Sequence, residues 1–77
     1  MTDNEKFLLE ELNHTKQNIQ NLSNEDILDT LFWARLERKA YWDRDDSIHW
    51  TQNGEDTVCE RVRVIENEIL RRMDRED

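Results

Sequence analysis

The sequence has no proline, a single glycine and a single cysteine among its 77 residues. Sandwiches, barrels and doubly wound sheets need frequent chain breakers to turn their strands. The scarcity of breakers excludes those architectures and favours a few long helices. One cysteine, Cys59, excludes an internal disulfide and points to a reducing, cytoplasmic setting. Apolar residues are also scarce, at 35% of the chain, against roughly 45–50% in an ordinary domain by a similar count that includes glycine. No apolar run approaches the roughly 18 residues that span a bilayer, and Met1-Thr2-Asp3-Asn4-Glu5 is unlike a signal peptide, so no membrane partner is expected. The length allows one small helical domain over residues 1–77.

Charge is what the chain has in abundance. Charged residues make up 39%, with 19 acids against 11 bases and a net charge of −8. Such a surface favours solubility and opposes non-specific attachment to nucleic acid or anionic lipid. Acids dominate residues 1–34 and 45–60, and bases cluster in 35–44.

Three helices are legible. Thr2-Asp3-Asn4-Glu5 forms a capping box, and behind it Leu8, Leu12, Thr15, Ile19 and Leu22 recur at alternating spacings of four and three, the seam of a helix over about 3–20. Ser23 begins a second start signal, with Asp26 three residues later and a hydrophobic staple between Leu22 and Ile27. The helix that follows, over about 24–44, carries Ile27, Leu28, Leu31, Phe32, Ala34, Leu36, Tyr41 and Trp42 around more than half its circumference, the pattern of a central helix with two neighbours. Residues 43–53 lack a sustained period. Asn53-Gly54 is a turn signal in which Asn53 could cap a third helix over about 54–74, with Ser47 an alternative cap. Val58, Val62, Ile65, Ile69 and Met73 give that helix its stripe. A short connection makes the second and third helices an antiparallel hairpin, with Val62 near Leu36, Ile69 near Leu28 and Val58 near Ala40.

Several polar and aromatic residues break these stripes. Glu66 lies on the packing face of the third helix, and Arg35 and Arg38 fall within the apolar arc of the second. The register predicts a partly buried ion pair between Arg35 and Glu66. Trp33 sits on the polar side of the second helix, where another surface should cover it. The first helix either packs across the hairpin or extends to a second copy. Its Leu8, Leu12 and Ile19 join Trp33 in the expected self-association surface of a homodimer, because a thin-cored short chain gains from burying area against a second copy. Trp42 and Trp50 flank Asp43, Asp45 and Asp46. Large aromatics beside charges are typical interface anchors, so these five residues are the expected contact with a partner protein. The alternative is that both tryptophans cover the open end of the hairpin.

Signals of chemistry are missing. The only glycine is Gly54, so there is no phosphate-binding glycine loop. His14, His49 and Cys59 have no ligand spacing, no metal or other cofactor is expected, and Cys59 reads as a small buried hydrophobe. Asp26 and Asp29 have no second acidic pair to complete a magnesium site, and helices with one loop offer no pocket for a catalytic triad. An enzyme is therefore not expected. Arg35, Arg38, Lys39 and Arg44 could touch phosphates, but the net charge opposes direct nucleic-acid binding.

The charged helical run Ile65-Glu66-Asn67-Glu68-Ile69-Leu70-Arg71-Arg72-Met73 resembles, in style alone, small accessory proteins of phages and mobile elements. The expectation is an all-α, acidic protein-interaction module, dimeric and cytoplasmic, that regulates or inhibits a partner protein by occupying its surface. Two alternatives stand beside it: an inhibitor whose Asp43, Asp45, Asp46, Glu55, Asp56 and Glu60 mimic a phosphate row, and a direct nucleic-acid-binding accessory protein.

Overall fold

A computed structural model describes residues 1–74. The described chain is all α: α1 spans Asp3–Asn18 and passes through a 3₁₀ turn at Ile19–Asn21, α2 spans Asn24–Trp42, and α3 spans Gln52–Asp74. None of these helices is long and apolar enough to cross a membrane.

The capping box forms: Glu5 N–H donates to Thr2 Oγ1 at 3.1 Å and Thr2 N–H to Glu5 Oε1 at 2.8 Å. Ser23 caps α2 by accepting from Asp26 N–H. That helix ends at Trp42, two residues short of the expected limit. Arg44 adopts a left-handed backbone with φ of 50°, and the amides of Arg44 and Asp45 turn back to the Tyr41 and Ala40 carbonyls. This is a Schellman ending without its usual glycine, so its sequence signal is absent. Neither Asn53 nor Ser47 caps α3. Thr51 Oγ1 accepts from Gly54 N–H at 3.0 Å while its own hydroxyl donates to Glu5 Oε2 at 2.8 Å. A contact between helix starts far apart in sequence fixes this cap, and spacing alone does not reveal it.

The central helix is α3 rather than α2: both α1 and α2 pack on it. Its inward line of Gly54, Val58, Val62, Ile65 and Glu68 is buried. One core cluster gathers Ile19, Ile27, Leu31, Ala34, Val62 and Ile65, and a second gathers Leu8, Tyr41 and Val58 under Ile48 and Trp50. Ala34 shares a cluster with Val62 and Ile65, and Arg72 reaches Asn24, so the start of α2 lies beside the end of α3. The face of α2 is rotated from the expected one. Ile27, Leu31, Ala34 and Tyr41 turn inward, whereas Leu28, Phe32 and Leu36 remain exposed. Ala34, 1% exposed, packs with Ile27 and Leu31 against Val62 and Ile65.

The expected self-association surface is largely consumed within the chain. Leu8, Leu12 and Ile19 are 4–5% exposed, with α1 folded back on α3 of the same molecule. Of that set only Trp33 stays open, at 61%. Cys59 is half-buried rather than enclosed.

Candidate functional site

The loop expected to meet a partner is mostly occupied by its own contacts. Trp50 is half-buried beside the Leu8–Tyr41–Val58 cluster, its indole N–H donating to Glu55 at 3.2 Å. The Arg44 guanidinium lies 3.9 Å above its ring. Trp42 is exposed but carries Arg38 at 4.3 Å over its face. Asp43 pairs with Lys39 at 2.7 Å. Asp45 accepts from Ser47 N–H at 2.9 Å, a bond that holds its carboxyl below the usual carboxylate range. Asp46 is exposed. Arg35 meets Glu66 at 2.6 Å, with side chains 52% and 37% exposed. The pair forms, but at the surface rather than within the interface, because the rotation of α2 carries Arg35 outward. Each of the four cations in 35–44 therefore has an intramolecular partner.

A different feature is open. The helices α1 and α2 splay over α3 to leave a cleft of about 770 Å³ lined by Phe7, Glu11, Trp33, Leu36, Glu37 and Arg61, among others. Each wall supplies an aromatic and, four residues on, a glutamate on the same helical face: Phe7 and Glu11 from α1, Trp33 and Glu37 from α2. Arg61 rises from the central helix between them, its Nε donating to Thr15 Oγ1 at 3.0 Å. Arg61 Nη1 approaches Glu37 Oε1 to only 3.8 Å, near enough to attract and too far to hydrogen-bond.

Arg61 thus attracts Glu37 while its Nε is committed to a hydroxyl, and Glu11 lines the same cleft. Among the described residues, Glu11 Oε1 and Glu37 Oε1 are both buried and have no hydrogen-bond partner. Burial first, then repulsion from Glu11, raises the Glu37 pKa against the attraction of Arg61. Buried polar atoms are normally satisfied, so this pair costs stability and leaves the cleft with uncompensated negative charge between two aromatic walls. His49 and Tyr41 line the same space.

None of Phe7, Glu11, Glu37 or Arg61 stood out in the sequence. The available signal was the repeated aromatic-x-x-x-Glu spacing on α1 and α2, which acquires meaning only once both helices are known to flank α3. No family model matches the chain, and no curated protein or solved structure matches it.

Proposed function

We propose that the protein is a helical interaction module that regulates or inhibits another protein by taking a basic segment of it into the α1–α2 cleft. One observation carries this reading: among the described residues, Glu11 and Glu37 each hold a buried, unpartnered oxygen there, with Arg61 held 3.8 Å from Glu37. A lysine or arginine side chain of a partner supplies the missing donors, while its methylene stem lies along Phe7 and Trp33. Charge-assisted bonds in a partly desolvated cleft are stronger than pairs at an open surface. The packing of α1 and α2 on α3 provides a floor for such a contact, and the excess of acids attracts a basic partner at long range.

The test is calorimetric titration with an arrayed set of lysine- and arginine-rich peptides. The reading expects binders whose affinity falls about tenfold on Glu37→Gln and on Trp33→Ala, the scale of one lost charged contact. Asp43→Asn/Asp46→Asn should change it little. Affinity that ignores Glu37 and Trp33 but collapses when the loop acids are neutralised, and that DNA competes away, sinks this reading in favour of phosphate mimicry.

A further inference from the structure

The outer face of α2 carries a second feature. Leu28, Phe32 and Leu36 form one stripe at four-residue spacing, 44–58% exposed. Leu70 and Met73 of α3 extend the same apolar surface, with Leu31 and Ile69 beneath. The charges beside this stripe are ordered. Glu25 and Asp29 lie toward its N-terminal end, and Arg35 and Lys39 lie toward its C-terminal end. Counted outward from Phe32, leucine stands four residues away on each side, and Glu25 mirrors Lys39 at seven.

This mirror order is what a two-fold interface requires, since an isologous contact sets residue i against j and j against i. We infer that the protein forms a homodimer in which the α2 helices of two copies pack antiparallel across Phe32. Leu28 then meets Leu36 of the other copy, the two Phe32 rings meet at the axis, and Glu25 lies opposite Lys39. The pair of Lys39 with Asp43 of its own chain is at the open surface and leaves room for a second carboxylate. A parallel pairing sets Lys39 against Lys39 and Glu25 against Glu25, which like-charge repulsion opposes. A partner of unrelated sequence has no reason to match the mirror order. The dimer covers exposed apolar area that a 77-residue chain cannot bury by itself. The stripe adjoins the α1–α2 cleft, sharing Leu36 with it and touching its wall through the edge-on contact of Phe32 with Trp33 at 5.3 Å. It uses neither Glu11 nor Glu37, so the two readings fail separately.

Sedimentation equilibrium of the full chain over a concentration series tests it. The wild type should pass from monomer to dimer, and Phe32→Glu should stay monomeric with unchanged helicity, because its side chain is largely exposed. Glu25→Lys and Lys39→Glu should each weaken the dimer several-fold, and an equimolar mixture of the two should recover wild-type association. In the mixed dimer both charge pairs are again of opposite sign, whereas damage to the fold would not be repaired by mixing. A wild type that is monomeric throughout, a Phe32→Glu variant that still dimerises, or a mixture no tighter than its components would overturn the inference.

Discussion

Arg72 donates from Nη2 to the Leu22 carbonyl at 2.8 Å. The same nitrogen reaches the Ile19 carbonyl at 3.0 Å, and Nη1 reaches Asn24 Oδ1 at 2.9 Å. Where α1 stops and α2 begins, one guanidinium from the end of α3 thus satisfies the Leu22 carbonyl and adds a second donor to that of Ile19, which also accepts from Leu22 N–H at 3.3 Å. Its Nε donates to Glu68 at 2.8 Å, and Arg71 adds two bonds to the same carboxylate at 2.9 and 2.6 Å. The corner between the first two helices, already packed on the third through Ile19, gains its polar tie from this side chain.

Replacement of Arg72 by methionine keeps most of the stem but strands the Leu22 carbonyl, removes one of two donors from that of Ile19 and takes one bond from Glu68. The expected cost is about 2–3 kcal/mol in urea unfolding, since bonds to a charged group are lost and an acceptor is left unmet. Arg63→Met, at a surface pair with Glu60, should change stability by less than about 0.5 kcal/mol. Equal effects at the two positions would refute the role given to Arg72.

Glu68 gives that cluster a pH signature. Hydrogen bonds from Arg71 and Arg72 lower its pKa from 4.5 to about 2. A depressed folded-state pKa contributes stability above the unfolded value that is lost as pH falls through the folded one. Thermal melts of the wild type should therefore decline between pH 4.5 and about 2 more steeply than those of Glu68→Gln. The two curves should differ most at neutral pH and converge in acid. Parallel curves would show that Glu68 titrates normally.

Glu37 should behave in the opposite sense. Its raised pKa means that the charged form is penalised in the folded state, so its contribution improves as pH falls and worsens as pH rises through the folded value. Glu37→Gln should therefore raise stability at neutral pH, by up to about 1 kcal/mol, with the gain fading in acid. In the peptide titration the same variant should bind more weakly. A substitution that strengthens the fold while weakening binding marks a group held in place for contact rather than for folding. Destabilisation at neutral pH would contradict the strained environment described for the cleft.

The helices themselves were legible because their signals are local. The Thr2–Glu5 box, the Ser23 cap and the stripes of α1 and α3 each depend on neighbours within one or two turns. What escaped was which helix lies in the middle and which face of α2 turns inward. Periodicity reports that α2 is apolar around a wide arc, but the choice between Ile27–Leu31–Ala34 and Leu28–Phe32–Leu36 depends on which set packs against Val62 and Ile65 of α3. The Thr51 cap depends on Glu5, nearly fifty residues earlier, and the Arg44 turn lacks glycine. The carboxylate pair of the cleft likewise exists only after α1 and α2 have been set on opposite sides of Arg61. Such features arise from tertiary placement and have no short-range sequence mark.

Gly54 is a place where the two levels can be tested together. It occupies the first turn of α3, where alanine would gain up to about 1 kcal/mol of helix propensity. A Cβ there would stand 3.0 Å from both Thr51 Oγ1 and Tyr41 Cε2, and 3.4 Å from Leu8 Cδ1. Neither of the closer atoms gives way easily. The Tyr41 ring is 3% exposed with its hydroxyl accepting from Asn4 Nδ2 at 2.9 Å, and Thr51 is held by Glu5 at one side and caps α3 at the other. Overpacking of this kind costs about 1–3 kcal/mol, which exceeds the propensity gain. Gly54→Ala should lower the melting temperature, and Gly54→Ala combined with Tyr41→Leu, which opens room for the methyl group, should recover part of the loss relative to Tyr41→Leu alone. A stabilising Gly54→Ala would mean that Tyr41 and Thr51 shift freely, and that the junction of α1, α2 and α3 is looser than its contacts imply.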